Sequence, residues 1–344
     1  MKLSEFNFPF TKNLIAQQPK VPRDSCKLMV VNRATYEVTK TKFSNIINYV
    51  EPGDVLVLND TKVFPARMFG TKEKTKAKIE VFLLRQIATE ENIWDVIVDP
   101  ARKVRIGNKI FFTKNLYCEI IDNTTSRGRI VRFNVLENFD KIIEKFGKTP
   151  LPTYIRREPT EKDKEYYQTV FAKNVGSVAA PAAGLHFTKD LLKKIQKKGI
   201  KIAYITLHLG LGLYRLVEVE DLSKHRMDSE YYEITKENAD IINEAIDRKK
   251  KVIAAGSSVV RALESSVITG KYVRPYKGWT DRFIHPPHTI SIVHKLITNF
   301  HMPHSTMLML ACSMAEKDLI LKAYRKAVKE KFKFLAYGDA MLII

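Results

Sequence analysis

The chain has 344 residues, 45% of them hydrophobic and 10% aromatic, a composition that excludes a largely disordered polypeptide and calls for more than one packed core. Lys and Arg number 58 against 38 Asp and Glu, a formal charge of +20. Such a surplus captures polyanions, so nucleic-acid binding leads and a merely solubilising charge is the plain alternative.

The first ten residues carry Glu5 and no uninterrupted apolar run, which argues against a signal peptide. Residues 27–32 and 54–59 read as strands, with a helix over 42–49 between them and a Pro52-Gly53 turn before the second. From about 66 to 135 the texture changes. Short β-branched or aromatic runs at 77–86, 93–99, 108–113, 116–122 and 129–135 are punctuated by Gly70, Gly107 and Gly128, with no convincing helix. Evenly spaced short strands predict a small barrel or sandwich. From Lys148 the pattern alternates strand and helix. A helix over 189–198 is capped by Thr188 and closed by Gly199, and a strand follows over 201–207. A helix over 236–248, a buried strand over 252–255 and a helix from Ser257 to about Ser266 come next. Residues 288–295 look helical, 296–300 form a strand, and Ser305 caps an apolar helix whose 307–315 core is too short to span a bilayer. Alternation of this kind implies an α/β body with a mostly parallel sheet, covered on both faces. The expected organisation is therefore a discontinuous α/β catalytic domain, 1–60 and 148–344, with an inserted β-barrel-like domain at 61–147.

The three cysteines, Cys26, Cys118 and Cys312, form no CxxC pair, so neither a disulfide framework nor a zinc site is indicated and reduced, buried thiols are expected. Ligands of open parallel sheets sit beyond the strand carboxyl ends, and the unusual residues cluster in such loops. The segment 179–187 is rich in small residues, including Ala183 and Gly184, and brings His186 to a helix N-terminus. His208 with Gly210 and Gly212 follows a strand. Gly256 and Ser257 open a helix bearing Arg261 and Glu264 three residues apart, on one face. Asn299, His301 and His304 follow another strand. The two histidines lack a third ligand at local spacing, so no metal is expected. Asp339 lies in a Tyr337-Gly338-Asp339 turn. Each motif alone reads equally well as ordinary loop, surface pair or structural histidine. Basic contacts to a nucleic acid would come from Arg156 and Arg157, from the lysine-rich helix around 193–201, and from Lys249 and Lys250.

Taken together, these segments resemble the S-adenosylmethionine:tRNA ribosyltransferase-isomerases of queuosine biosynthesis along nearly the whole chain. The resemblance runs through Glu5–Phe8, 53–67, Lys78–Val81, Leu151–Ile155, Tyr167–Phe171, 179–187, 206–212, 225–230, 256–265, 298–306 and 334–340. It implies an α/β body with an inserted barrel-like domain. It implies a reaction in which the ribosyl group of S-adenosylmethionine moves to 7-aminomethyl-7-deazaguanine at the tRNA wobble position and rearranges to epoxyqueuosine, releasing adenine and methionine. S-adenosylmethionine is then a co-substrate, and no cofactor is expected. A base near the sulfonium-activated 5′ carbon suits His186 or His208. Glu264, Asp339 or a second histidine would protonate departing adenine. Arg261 and the helix amides would hold the methionine carboxylate, while Asn299 and His301 line the nucleoside pocket. The implied setting is a cytoplasmic, membrane-free monomer. Three positions depart from the family pattern, Ala182, Leu213 and Val259, so a hydroxyl there is not essential. The competing readings are an RNA methyltransferase using the same donor, and a non-catalytic RNA-binding protein.

Overall fold

The computed structural model describes all residues except 125–127, 136–138, 211, 213 and 214, so the expectation placed on Leu213 lies outside the described residues. In chain order, β1 (Lys27–Val31) and β2 (Val38–Lys42) pair antiparallel, followed by β3 (Val55–Asn59) and the short β4 (Thr61–Val63). Then come β5 (Arg67–Lys72), β6 (Lys78–Ala88), β7 (Ile93–Asp99), β8 (Lys109–Phe111), β9 (Tyr117–Asn123) and β10 (Arg129–Phe133). After α1 (Phe139–Phe146) and α2 (Glu161–Tyr166) the chain runs through β11 (Asn174–Ser177), α3 (Lys189–Lys197), β12 (Lys201–Leu207), β13 (Glu230–Ile234), α4 (Lys236–Asp247), β14 (Val252–Ala255) and α5 (Ser257–Ser265). It closes with β15 (Val267–Ile268), β16 (Tyr272–Val273), β17 (Tyr276–Thr280), β18 (Lys295–Asn299), α6 (Thr306–Met314), α7 (Lys317–Lys329) and β19 (Ala340–Ile343).

β5 to β10 close into a barrel of order β10-β7-β6-β5-β8-β9. Their alternation explains why. Met68, Ile79, Val81, Leu83, Val96 and Val98 are buried in one core with Ile110, Cys118, Ile120 and Val131, and alternate residues such as Phe69 and Glu80 lie on the other face. The other large sheet has nine strands in the order β17-β13-β12-β3-β14-β18-β19-β1-β2. Parallel pairing is confined to β12–β3, β3–β14, β14–β18 and β19–β1, and the other four neighbours are antiparallel. The expected mostly parallel sheet is therefore a mixed one. The C-terminal strand β19 returns against β18, β2 is added by a hairpin at one margin, and β13 and β17 are added antiparallel at the other, connections that alternating patterns do not reveal.

The strands at the centre of that sheet are apolar on both faces. Val55 and Val57 of β3 join the core beneath α4 to α7, whereas Leu56 and Leu58 join the one beneath α3 and the Phe43–Ile46 turn. Two expected helices take other forms. Residues 43–49 wind as a 3-10 segment. Residues 288–294 are irregular, with the Ser291 and Ile292 amides claimed by the Glu264 carboxylate. Thr188 and Ser305 cap α3 and α6 by accepting from the Leu191 and Leu308 amides. The three cysteines are free and buried. No described helix is long and apolar enough to cross a membrane.

Candidate active site

The parallel strands β12, β3, β14 and β18 lie side by side, so the loops after their carboxyl ends share one rim. Asn59 laces this rim together. Its Nδ2 donates to the Leu207 carbonyl at 3.0 Å and to Ser258 Oγ at 3.1 Å, and its Oδ1 accepts from the Thr61 and Leu207 amides. Ser177 Oγ accepts from the Leu209 amide at 2.9 Å, tying the loop after β11 to the one after β12.

At the β18 end the rim opens onto a cavity of about 1020 Å³. Phe10, Tyr154 and Tyr167 supply aromatic wall, Ala180 and Ala182 a small-residue flank, and Asn299, His301 and His304 a polar side, with Arg156 among the lining residues. The His301 ring meets Thr298 Oγ1 at 2.9 Å, and burial pushes its imidazole down to about 3. Asn299 donates to the Leu335 carbonyl at 2.8 Å and presents Oδ1 to His186 Nε2 at 3.1 Å. His186 is thus behind the wall. Its other ring nitrogen is 3.2 Å from Cys26 Sγ, and burial pushes it down to about 4 against the opposing pull of Asn299. Of the nine residues expected to bind substrate, only Asn299 and His301 line this cavity.

Farther along the rim the polar groups close on one another. His208 contacts Thr61 Oγ1 at 2.8 Å and stacks on Tyr231, with ring centroids 5.4 Å apart. Burial also pushes it down to about 4. Gly176 has φ +152°, and a Cβ there would sit 2.5 Å from His208 Nε2, so only a glycine lets the imidazole occupy that place. Gly184 is equally tight, its missing Cβ replaced by Thr169 and Phe171. Gly256 caps α5 at φ +108°, next to Ala183 and just before Ser257, and Gly212 abuts Asp228. Gly210 donates its amide to Glu230 Oε1 at 2.8 Å.

Four expected roles do not fit these surroundings. Arg261 is 4% exposed and each of its three guanidinium nitrogens is engaged, Nη1 with Glu230 and the other two with the Arg282 and Thr280 carbonyls, so it braces this end of the rim and does not line the cavity. Glu264, 1% exposed, accepts the Ser291 and Ile292 amides rather than facing a ligand. Asp339 likewise accepts the Lys27 and Lys333 amides at 2.8 and 2.7 Å, and burial raises its carboxyl above the usual range. Lys249 and Lys250 precede β14, and the Lys250 side chain covers Gly53 ahead of β3, which puts both at the opposite rim. Sequence spacing identified these residues correctly as unusual, but a buried polar group is as unusual when it braces the fold.

Arg157 also serves as a brace. It grips Asp163 bidentately, both contacts at 2.7 Å, and Tyr337 donates to the same carboxylate at 2.9 Å. Burial alone would raise the Asp163 carboxyl, yet these donors with the Thr160 amide and hydroxyl hold it well below its ordinary value. The brace fixes the turn that carries Tyr154 and Arg156, whose backbone is further held by Gln17: Arg156 N donates to Gln17 Oε1 at 2.7 Å and Gln17 Nε2 donates to the Tyr154 carbonyl at 3.0 Å. Arg156 itself is exposed, with no side-chain hydrogen bond or ion pair among the described residues. Phe10, Gln17, Tyr154, Tyr167 and His304 received no sequence-based role. Tyr154 and Tyr167 fall within the family-like segments, which was the available signal. Among the described residues no group of three His, Cys, Asp or Glu is disposed to hold a metal ion.

Residues 3–343 match a family model described as queuosine biosynthesis protein. A relative from Cytophaga hutchinsonii, named S-adenosylmethionine:tRNA ribosyltransferase-isomerase, is 55% identical with both chains covered in full. One of the same name from Chloroherpeton thalassium is 53% identical, again over 100% of each. Among solved structures, an S-adenosylmethionine tRNA ribosyltransferase from Thermotoga maritima superposes with a TM-score of 0.57 at 33% identity, covering 99% of this chain and 100% of that one.

Proposed function

Since the chain belongs to the queuosine biosynthesis protein family, we propose that it is an S-adenosylmethionine:tRNA ribosyltransferase-isomerase that works in the cytoplasm as a monomer. It moves the ribosyl group onto 7-aminomethyl-7-deazaguanine at the tRNA wobble position and rearranges it to epoxyqueuosine. The observation that carries this reading is the rim cavity of about 1020 Å³, walled by Phe10, Tyr154 and Tyr167 and holding neutral imidazole.

A sulfonium nucleoside brings a positive charge into a buried place. Aromatic faces attract it, and a histidine whose charged form is suppressed by burial does not repel it. His301, held neutral on the same wall, lines the place where the nucleoside lies without adding a like charge. Asn299, oriented by His186 behind it, hydrogen-bonds the nucleoside. Arg156 meets the polyanion at the mouth. The domain division at 61–147 gives the barrel a separate surface for RNA.

The test is incubation with S-adenosylmethionine and tRNA bearing 7-aminomethyl-7-deazaguanine, followed by nucleoside mass analysis. Epoxyqueuosine with free adenine and methionine is expected. S-adenosylhomocysteine and a methylated nucleoside would establish the methyltransferase alternative instead.

A further inference from the structure

The outer face of the barrel carries an ordered pattern that the reaction does not use. β5, β6 and β7 are in register so that Arg67 stands opposite Phe82, and Phe82 opposite Ile97. In the next outward row Phe69 faces Glu80, and Glu80 faces Asp99. The inward neighbours Met68, Val81 and Val98 are buried in the barrel core. This leaves an aromatic ring and a charged group side by side in each row.

Two hollows lie on that face. One, of about 340 Å³, sits where the barrel meets the 150–153 turn and the loop bearing Arg215. The second, of about 580 Å³, surrounds Phe69. They share Glu80 and Asp99, and the first shares Thr153 with the large rim cavity. The three hollows therefore form one track from the candidate active site onto the barrel.

The chemistry along the track is that of a single nucleic-acid strand. Phe69 is 48% exposed, and Lys148 Nζ stands 5.0 Å from its ring centroid. The Arg67 guanidinium lies 4.8 Å from the Phe82 ring centroid, and its buried Nε has no hydrogen-bond partner among the described residues. Lys78 and Arg215 flank the track, with Arg215 half exposed and only loosely paired to Asp228 at 3.4 Å. Its acids are Glu80, paired with Arg67 at 2.7 Å, Asp99, and Glu158, which reaches Lys148 at 3.2 Å. Carboxylates repel phosphates but accept from base N–H groups, so the strand that fits turns its bases toward Glu80 and Asp99 and its phosphates toward the flanking cations.

We propose that this track binds the single-stranded nucleotides flanking the modified one, with a base stacked on Phe69. The proposal rests on the tRNA reading above and identifies where, on the barrel, that substrate lies.

The experiment measures binding of a labelled anticodon-arm hairpin bearing 7-aminomethyl-7-deazaguanine, by anisotropy, and of a loopless duplex of equal charge. Phe69→Ala is expected to weaken hairpin binding about tenfold, to leave duplex binding within twofold and to keep the wild-type Tm. Phe69→Trp should restore it. Arg215→Ala should lower the dependence of log Kd on log salt by about one. In turnover, Phe69→Ala should raise the KM for the RNA and not that for S-adenosylmethionine. Equal hairpin binding by wild type and Phe69→Ala would overturn the inference, even if wild type turns the RNA over. If wild type releases no adenine, the proposed function falls, and the binding comparison still decides whether the track holds RNA.

Discussion

At the β18 end of the rim, Asn299 and His301 line a large cavity, and each is also hydrogen-bonded to the protein around it. At the β12–β13 end, Arg261, Glu230 and the Gly210 amide satisfy one another, and Glu264 is spent on two backbone amides close by. Both regions are rich in buried polar residues, and both fall in segments that resemble the same family. The contrast shows that unusual residues at strand ends mark two different needs. One is to meet a ligand, and the other is to hold loops of a mixed sheet in place. Both kinds are hydrogen-bonded to protein, and what separates them is whether the group lines a cavity.

The sharpest way to break this contrast is Arg261→Ala. It leaves Glu230 buried without its cation, so unfolding free energy should fall by about 3–5 kcal/mol, read from denaturant midpoints. A stable variant lacking only activity would return Arg261 to the substrate. The open end has its own stability signature through pH. The imidazole of His186, ordinarily at 6.5, is pushed down to about 4 by burial. The unfolded chain binds the proton more readily, so the contribution is complete above pH ~6.5 and is lost as pH falls toward ~4, roughly 3 kcal/mol in all. Unfolding between pH 6.5 and 4 should therefore depend less on pH in His186→Gln, and an unchanged slope would refute the burial argument. His301→Ala should raise the KM for S-adenosylmethionine about tenfold while Tm shifts by a few degrees, read from adenine release and thermal melts. Glu264→Gln should cost about 1–2 kcal/mol of stability and leave folded-state turnover within a few-fold, because it braces rather than reacts. Lys249→Gln, at the opposite rim, should change neither RNA affinity nor turnover.

Much of the fold was legible because its signals are local. Thr188 and Ser305 announce helix starts, and the alternation of Ile79, Val81 and Leu83 announces a strand with one buried face. The direction of pairing was not legible. Nothing in the composition of β19 says that it runs against β18 and along β1. The site divides in the same way. Residue type located the rim, since glycines such as Gly184 and Gly212 record close approach. The cavity is assembled from segments as distant as Phe10, Tyr154 and His304, and spacing along the chain carries no trace of that meeting. The histidines looked equivalent in sequence, and only burial and neighbours distinguish His301 on the wall from His186 behind it.

The barrel has a consequence for how this chain tolerates change. Each of its six strands has a neighbour on both sides, so it offers no unpaired margin on which a second chain might extend. Its interior is filled independently of the nine-stranded sheet. Loops at its ends can therefore lengthen without exposing a strand edge on which a second copy could pair.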